Sequence, residues 1–444
     1  MPWLIATSSA DRDNAASWRA AGTRIWDWVC SGAGLNIGRP PRFFLGCAAS
    51  LIVALVFESH AAADVSVSTN AGWSPYLLEQ ALTPPEKEAS FLQSATISGS
   101  HIAALTQTGF TTSEIGVVHL DEFSEANGWA ESTHADVGIG TVIGYDDRTW
   151  CYSIASDGDN VIVSQPTFSI IPSYYGQGAA MFFRHTAQGW AFSGFLIDPD
   201  PSEGQFFGCK VAISGNIAVV GMPYGGEGGL VFTANFDGQQ WTLGQKLHAP
   251  PGVSCFGCAV AISGDRIVVG APNQYNLAGG TAYVYSQLNG VWRQTAQLTA
   301  SAPEIGDEFA RSVAIDGETI AIGANRKNLG AGAVYIYRSV GLGWELQTEL
   351  QQTPLPGHER AFGFAMALRA GRLVIGEPGM SAAHLFQERD GTWTSRATFA
   401  SDDLDAKFGW IVGISGREIV TGAPSSSGTI YVFRDDQIFA DDFH

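Results

Sequence analysis

Phe256-Gly257-Cys258-Ala259-Val260-Ala261-Ile262-Ser263-Gly264 leads into Ile267-Val268-Val269 and then Gly270-Ala271-Pro272, and this stretch decides the fold because the chain repeats it. Copies occupy residues 207–215, 309–317, 362–371 (with one extra residue) and 408–416. Weaker copies hold Ile97-Ser98-Gly99 and residues 150–158, which makes seven units. After Gly-Ala-Pro each unit continues with a variable loop, a run such as Ala282-Tyr283-Val284-Tyr285, a turn, and a Trp opening a last alternating strand. Trp73, Trp129, Trp190, Trp241, Trp292, Trp344 and Trp393 count the units independently, at separations of 56, 61, 51, 51, 52 and 49 residues. A period of about 50 residues marks a propeller or array, and it accommodates four short strands with their turns.

Within residues 256–263, period two places Cys258, Val260 and Ile262 on one face and the small Ala259 and Ala261 on the other, as a closely packed inner strand requires. Gly264-Asp265, Gly317-Glu318 and Gly238-Gln239 fall where tight hairpins need positive φ. After residue 64 no stretch sustains an i, i+3, i+4 apolar pattern for three turns without Gly or Pro, which argues against helices. The last copy stops after its third strand, residues 429–433, with no Trp behind it. Conversely, Gly72-Trp73-Ser74-Pro75-Tyr76-Leu77-Leu78-Glu79 is a stray fourth-strand sequence that compares with Gly343-Trp344-Glu345-Leu346-Gln347-Thr348-Glu349-Leu350. The predicted fold is therefore all-β: a seven-bladed β-propeller of four-stranded antiparallel blades, closed by an N-terminal strand that completes the last blade.

Phe256-Gly257 with Gly270-Ala271-Pro272, and Phe408-Gly409 with Gly422-Ala423-Pro424, carry a resemblance to the FG-GAP repeat. Phe207-Gly208 with Gly221-Met222-Pro223 and Phe362-Gly363 with Gly376-Glu377-Pro378 are one-residue variants, while the fifth copy reads Phe309-Ala310 and Gly323-Ala324-Asn325. The chain resembles the propeller of integrin α-subunit heads and, more closely, exported bacterial FG-GAP proteins, over residues 72–434. The resemblance implies a non-catalytic binding or adhesion platform. Integrin-type repeats often add a calcium loop, D-x-[DN]-x-D-G, between strands one and two. Here that connection is only Ser263-Gly264-Asp265-Arg266 or Ser415-Gly416-Arg417-Glu418, too short to wrap an ion that wants six to eight oxygens, so the calcium sites do not carry over.

Gly accounts for 53 of 444 residues, about 12% against a usual ~7%, and charged residues for only 15%, which excludes a coiled coil, a disordered chain and a polytopic membrane protein. A formal charge of −19 argues against nucleic acid and against an anionic membrane surface, both of which need clustered cations. Arg39 and Arg42 precede a weakly polar to apolar run over 43–57 that ends in Glu58-Ser59-His60-Ala61-Ala62-Ala63, the three parts of a secretory signal peptide. The expected organisation is an N-terminal extension 1–38 that is not translated, initiation falling downstream of Met1, then a signal peptide 39–63, a propeller 64–434 and an acidic tail 435–444. The mature chain is expected to be secreted, periplasmic or at the cell surface, monomeric, and without stable membrane insertion. Cys151, Cys209, Cys255 and Cys258 remain after the leader; an oxidising compartment permits three pairings among them, and the pairing stays open.

No machinery for hydrolysis emerges. No G-x-S-x-G occurs, the Ile414-Ser415-Gly416 type of turn recurs as architecture, and His358-Glu359 is followed by Phe362 where a zinc-protease helix needs a second His. The histidines read as surface or core residues, and neither a metal nor a cofactor is expected. Asp237-Gly238-Gln239-Gln240-Trp241 and Asp390-Gly391-Thr392-Trp393 are similar to the sialidase Asp-box turn, but Asn235 and Glu388 replace its Ser or Thr. Acids gather between blades, as Asp198, Asp200 and Glu203, as Glu304, Asp307 and Glu308, and as Asp402, Asp403 and Asp405, reading as solvated loops or as a cationic-partner surface. The loops from strand two to strand three open on the same face. Tyr174, Tyr175, Tyr224, Asn273, Tyr275, Asn276, Arg326 and Lys327, from the second to the fifth blade, are the expected contacts for a protein or glycan ligand, since Tyr and Arg combine contact area with polar tips. A glycan-cleaving propeller and a structural surface protein without a specific ligand are the alternatives.

Overall fold

The computed structural model describes residues 65–69, 76–82, 90–108, 115–124, 128–137, 151–169, 176–272, 279–424 and 428–435. The extension 1–38, the expected leader 39–63, Trp73 and the tail after Asp435 lie outside the described residues.

Seven antiparallel sheets follow one another, six of four strands and one of five. Blades one to six run over residues 90–137, 154–196, 210–248, 259–298, 312–351 and 366–401, with the innermost strand first in each. The seventh has three strands from residues 411–435, and its fourth is β2 (Tyr76–Leu82), paired antiparallel with Thr429–Asp435 from Tyr76 opposite Asp435 to Leu82 opposite Ile430. The expected closure is therefore present. A strand not foreseen, β1 (Val65–Thr69), adds a fifth member to blade six, opposite residues 397–401 of strand Thr392–Ser401. Its sequence, VSVST, alternates, and Val65 and Val67 pack against the core between blades six and seven.

Apolar cores lie between the blades. The core joining blades three and four contains Val219 and Val231 with Ile262 and Ile267, whereas Ala261, on the other face of the same strand, packs into the core joining blades four and five. The junction of blades seven and one has its own core, with Ile411, Val420 and Val432 against Leu92, Ile97 and Ile102. The Phe of each strong motif copy, Phe207, Phe256, Phe309, Phe362 and Phe408, is at most 1% exposed.

The glycines of the motif are steric requirements. Gly409 has φ +86°, and a Cβ there would stand 2.0 Å from the Ala382 carbonyl oxygen of the preceding blade. A Cβ on Gly376 would in turn meet the Gly409 carbonyl oxygen at 2.0 Å. Backbones of neighbouring blades thus touch where both motif halves meet, and only Gly leaves room.

A second contact recurs at the opposite ends of the inner strands. The last residue of each inner strand accepts a hydrogen bond from the first turn N–H of the next blade: Gly158 to Ser98 (2.9 Å), Gly215 to Asp157 (2.6 Å), Gly264 to Ser214 (3.2 Å), Gly317 to Ser263 (3.0 Å) and Ala370 to Asp316 (2.6 Å). Arg369 stands in that position of blade six, and there Arg372 reaches the Gly416 carbonyl oxygen instead. On the outside, the side-chain amide of Gln245 clamps the backbone N–H and C=O of Trp292 in the next blade (2.9 and 2.8 Å). Gln80 of β2 clamps Trp129 in the same way (3.0 and 2.8 Å), so β2 behaves as a fourth strand towards blade one as well as towards blade seven.

Cys151 is joined to Cys209 across blades two and three, and Cys255 to Cys258 within the entry to blade four. This resolves the pairing left open by the sequence. No helix among the described residues is long and apolar enough to cross a membrane.

Candidate functional site

The connections between blades and the loops from strand two to strand three share one face, as the parallel bridges Gly178 to Phe207 and Gly332 to Phe362 show directly. At that face the inner strands open into a cavity of roughly 250 Å³ on the propeller axis, lined by residues from all seven of them. The cations Lys210 and Arg311 stand in its wall, with the aromatic pair Phe364 and Trp410 (ring centroids 4.3 Å apart) and with Tyr152 and Ser153.

Lys210 has no ion-pair partner among the described residues. Burial, reinforced by the charge of Arg311, lowers its ammonium to about 7. Arg311 is held by Glu308 at 3.6 Å. Two cations in one half-enclosed cavity repel, and a bound anion would relieve both the repulsion and the desolvation of Lys210. The two cations and the two aromatic residues follow the Phe of their motif copies by two or three positions, at 210 after Phe207, 311 after Phe309, 364 after Phe362 and 410 after Phe408. That is the signal the sequence offered and the loop-based reading passed over: within the repeat the second position after the Phe changes from Cys209 and Cys258 to Arg311, Phe364 and Trp410, and the third from Lys210 to Ala259, Ser312 and Ile411.

Of the expected loop contacts, Tyr174, Tyr175, Asn273, Tyr275 and Asn276 lie outside the described residues. Tyr224 is 42% exposed and packs edge-on against Phe206 at 5.7 Å. Arg326 is exposed and bridges Glu308 (3.5 Å) and Glu359 (3.3 Å). Lys327 is buried, donating to the Ala302 carbonyl (2.9 Å) and to Asp307 (3.5 Å), so its ammonium supports the loop and does not face solvent. Of the acids between blades, Asp200, Glu203, Glu304, Asp402, Asp403 and Asp405 are exposed, as solvated loops would be, but three differ from both readings given to them. Asp198, Asp307 and Glu308 are buried, and they hold Lys246 (4.0 Å), Lys327, and Arg311 with Arg326, because an interior carboxylate must find a cation or donors. Asp403 caps the turn that follows it by accepting from the Asp405 N–H at 3.0 Å.

Glu377, the Glu of Gly376-Glu377-Pro378, is 1% exposed and is gripped by the Arg360 guanidinium and by His384 Nε2 (2.6 Å), whose Nδ1 meets Thr398 Oγ1 at 3.0 Å. Burial alone would push this carboxyl up; the hydrogen bonds from His384 and Arg360 outweigh it and hold Glu377 below its ordinary value. The order hydroxyl, imidazole, carboxylate is that of a hydrolytic triad, but Thr398 sits in mid-strand between His384 and Ser68, where no sharp turn presents its hydroxyl. The set is a buried clamp standing where Ala271, Ala324 and Ala423 occupy the same place in other copies.

A second polar cavity of roughly 280 Å³, beside β2, is lined by Thr106, His119, Asp121 and Glu131. His119 bridges Thr106 Oγ1 (2.9 Å) and Glu131 (3.2 Å). Burial, then the charge of Glu131, raises Asp121 to about 7.

Among known proteins, the family described as FG-GAP repeat matches residues 190–232, 241–285 and 292–337. No curated protein matches the chain. Solved structures similar to it include one titled as the Mitotic Checkpoint Complex (10% identity, 86% of this chain and 98% of that one, TM-score 0.49). A WD40 domain of Toxoplasma gondii coronin (11%, 84% and 86%, 0.46) and the β-propeller domain of the Trilobed protease from Pyrococcus furiosus (11%, 79% and 97%, 0.44) are similar to a like degree. At such identities and scores nothing is carried over from them. The family match falls on three consecutive copies, and the same Phe-Gly and Gly-Ala-Pro contacts recur around the ring: the chain carries FG-GAP repeats and folds as a seven-bladed β-propeller.

Proposed function

We propose that this propeller is an exported, non-catalytic binding module whose protein or glycan ligand presents an anionic group to the axial cavity. The observation that supports this most is Lys210, a desolvated cation without a counter-ion, placed opposite Arg311 and beside Phe364 and Trp410. An acidic sugar or a carboxylate side chain would supply the missing charge, and the aromatic rings an apolar face. Export is supported by the leader-like residues 39–63 and by two disulfides. An array of acidic and neutral glycans and of acidic peptides tests the reading. Binding is expected to favour acidic members, to strengthen as pH falls through about 7 and Lys210 gains its proton, and to vanish in Lys210→Met/Arg311→Met. Equal capture of neutral and acidic members would overturn it.

The glycan-cleaving alternative rests on Asp121 and Glu131, cross-strand neighbours at one cavity, since glycoside hydrolysis uses a carboxyl pair of which one member, here Asp121 raised to about 7, can serve as the acid. Turnover of any bound glycan that disappears in Asp121→Asn would favour this reading over simple binding.

A further inference from the structure

We infer that His101, Glu122 and His185 form a binding site for a divalent d-block cation of the zinc type, on the face opposite the axial cavity, where blades one and two meet. Their ligand atoms lie within 4.8 Å of one another. Two cross-strand pairs build the cluster: His101 stands directly opposite Glu122 in blade one, and His185 opposite Trp190 in blade two. The turn before His101 and the end of strand Ala179–Thr186 bring these pairs together, with His185 Nε2 3.0 Å from Glu122 Oε1 and the two imidazole centroids 4.8 Å apart. Trp190 packs edge-on against both rings, at 5.1 and 5.2 Å.

The outer contacts are those a metal site needs. Ser132 Oγ donates to Glu122 Oε1 at 3.0 Å, and His185 is anchored by its backbone N–H on the Asp159 carbonyl (2.8 Å). A His–Glu ion pair accounts for His185 and Glu122 but gives no reason for a second imidazole at the same point.

Donors of a tetrahedral site with bonds of about 2.0–2.1 Å stand about 3.3 Å apart, so the widest separation here closes by roughly 1.5 Å, within the reach of side-chain rotation. Two imidazoles and one carboxylate suit zinc, cobalt, nickel or copper and not calcium or magnesium, which want oxygen. Three protein ligands leave a fourth position for water. A bound ion would also fasten blade one to blade two, the two copies with degenerate motifs.

The test uses the untagged full chain, stripped with chelator, and titration with Zn²⁺ and Co²⁺. One equivalent is expected to bind, with the visible absorption of four-coordinate Co²⁺ and a melting temperature that rises with Zn²⁺ and not with Ca²⁺. His101→Asn/His185→Asn should weaken Zn²⁺ roughly 100-fold or more and abolish the cobalt bands. Glu122→Gln, which keeps the side-chain shape, should weaken it less, and His358→Ala, remote from the cluster, should leave it unchanged. Retention of stoichiometric binding in the double variant, its loss in His358→Ala, or calcium binding as tightly as zinc would each overturn the site. Should the double variant fail to fold, Glu122→Gln with unchanged affinity does so as well.

Discussion

The hydroxyl of Ser415 accepts a hydrogen bond from the backbone N–H of Gly99 at 2.8 Å, across 316 residues of sequence. It is the same contact that Ser98, Asp157, Ser214, Ser263 and Asp316 make to their following blades, and here it joins the last blade to the first. The Ile-Ser-Gly repeat that reads as a hairpin signal is therefore also the joint between units. Ser415→Ala should lose about 1 kcal/mol, the net worth of one hydrogen bond, measured by chemical denaturation. Removal of residues up to Leu82 should cost far more, because it uncovers strand Thr429–Asp435 along its whole edge and strips Gln80 from Trp129. Lower melting together with self-association in light scattering is the expected result; an unchanged melting curve would falsify closure by β2.

Ala310 occupies the glycine position of the fifth motif copy and keeps its geometry, with φ +68°. An L-residue in that region is strained by roughly 1–2 kcal/mol, so Ala310→Gly should stabilise the protein by about 1 kcal/mol after the entropy cost of glycine is deducted. Equilibrium unfolding in urea reads the difference directly.

Two buried carboxyls impose opposite pH dependences. Glu377 titrates below its ordinary value in the folded state, so its contribution is complete above the unfolded value near 4.5 and disappears as pH falls through the lower folded value. Glu377→Ala should cost about 3–5 kcal/mol at neutral pH, since Arg360 and His384 lose their common partner. Asp121 is raised from 3.8 to about 7, so the unfolded chain releases its proton first and stability declines as pH rises from about 4 to about 7. Asp121→Asn should remove that decline and be more stable than the parent above pH 7 by up to roughly 4 kcal/mol. Melting temperatures recorded from pH 3 to 9 for both variants check each sign.

Cys151 and Cys209 close a loop of 58 residues between two blades, whereas Cys255 and Cys258 are three apart. In the chain-entropy picture the first bond is worth about 4 kcal/mol and the second less than half of that. Cys151→Ser/Cys209→Ser should therefore lower stability much more than Cys255→Ser/Cys258→Ser, and a calorimetric ranking in the other order would refute the assignment.

The fold was legible because its demands are steric and repeat in most units. Gly409 and Gly376 cannot carry a Cβ, and Phe408 fills the same buried position as Phe256, so the pattern survives in the sequence. The phase of the copies even exposed β2, although β1, five alternating residues without Trp or turn signal, gave no sign. The sites were much less legible. Lys210 and Arg311 are 101 positions apart and face one cavity only after the ring is formed, while His101, Glu122 and His185 each occupy an ordinary polar position of a strand. The acids at 198, 307 and 308 misled in the other direction: a charged loop in sequence carries no mark that its carboxylates turn inward to a lysine or arginine.

Tyr76 pairs with Asp435, so β2 leaves the ribosome some 359 residues before the strand that it must join. At about 5–20 residues per second that wait is roughly 20–70 s. Throughout it the nascent polypeptide is an unsealed arc, with the rim of blade one bare and β2 without its neighbour, and a threading or chaperoning machine has that long to handle it before the circle snaps shut.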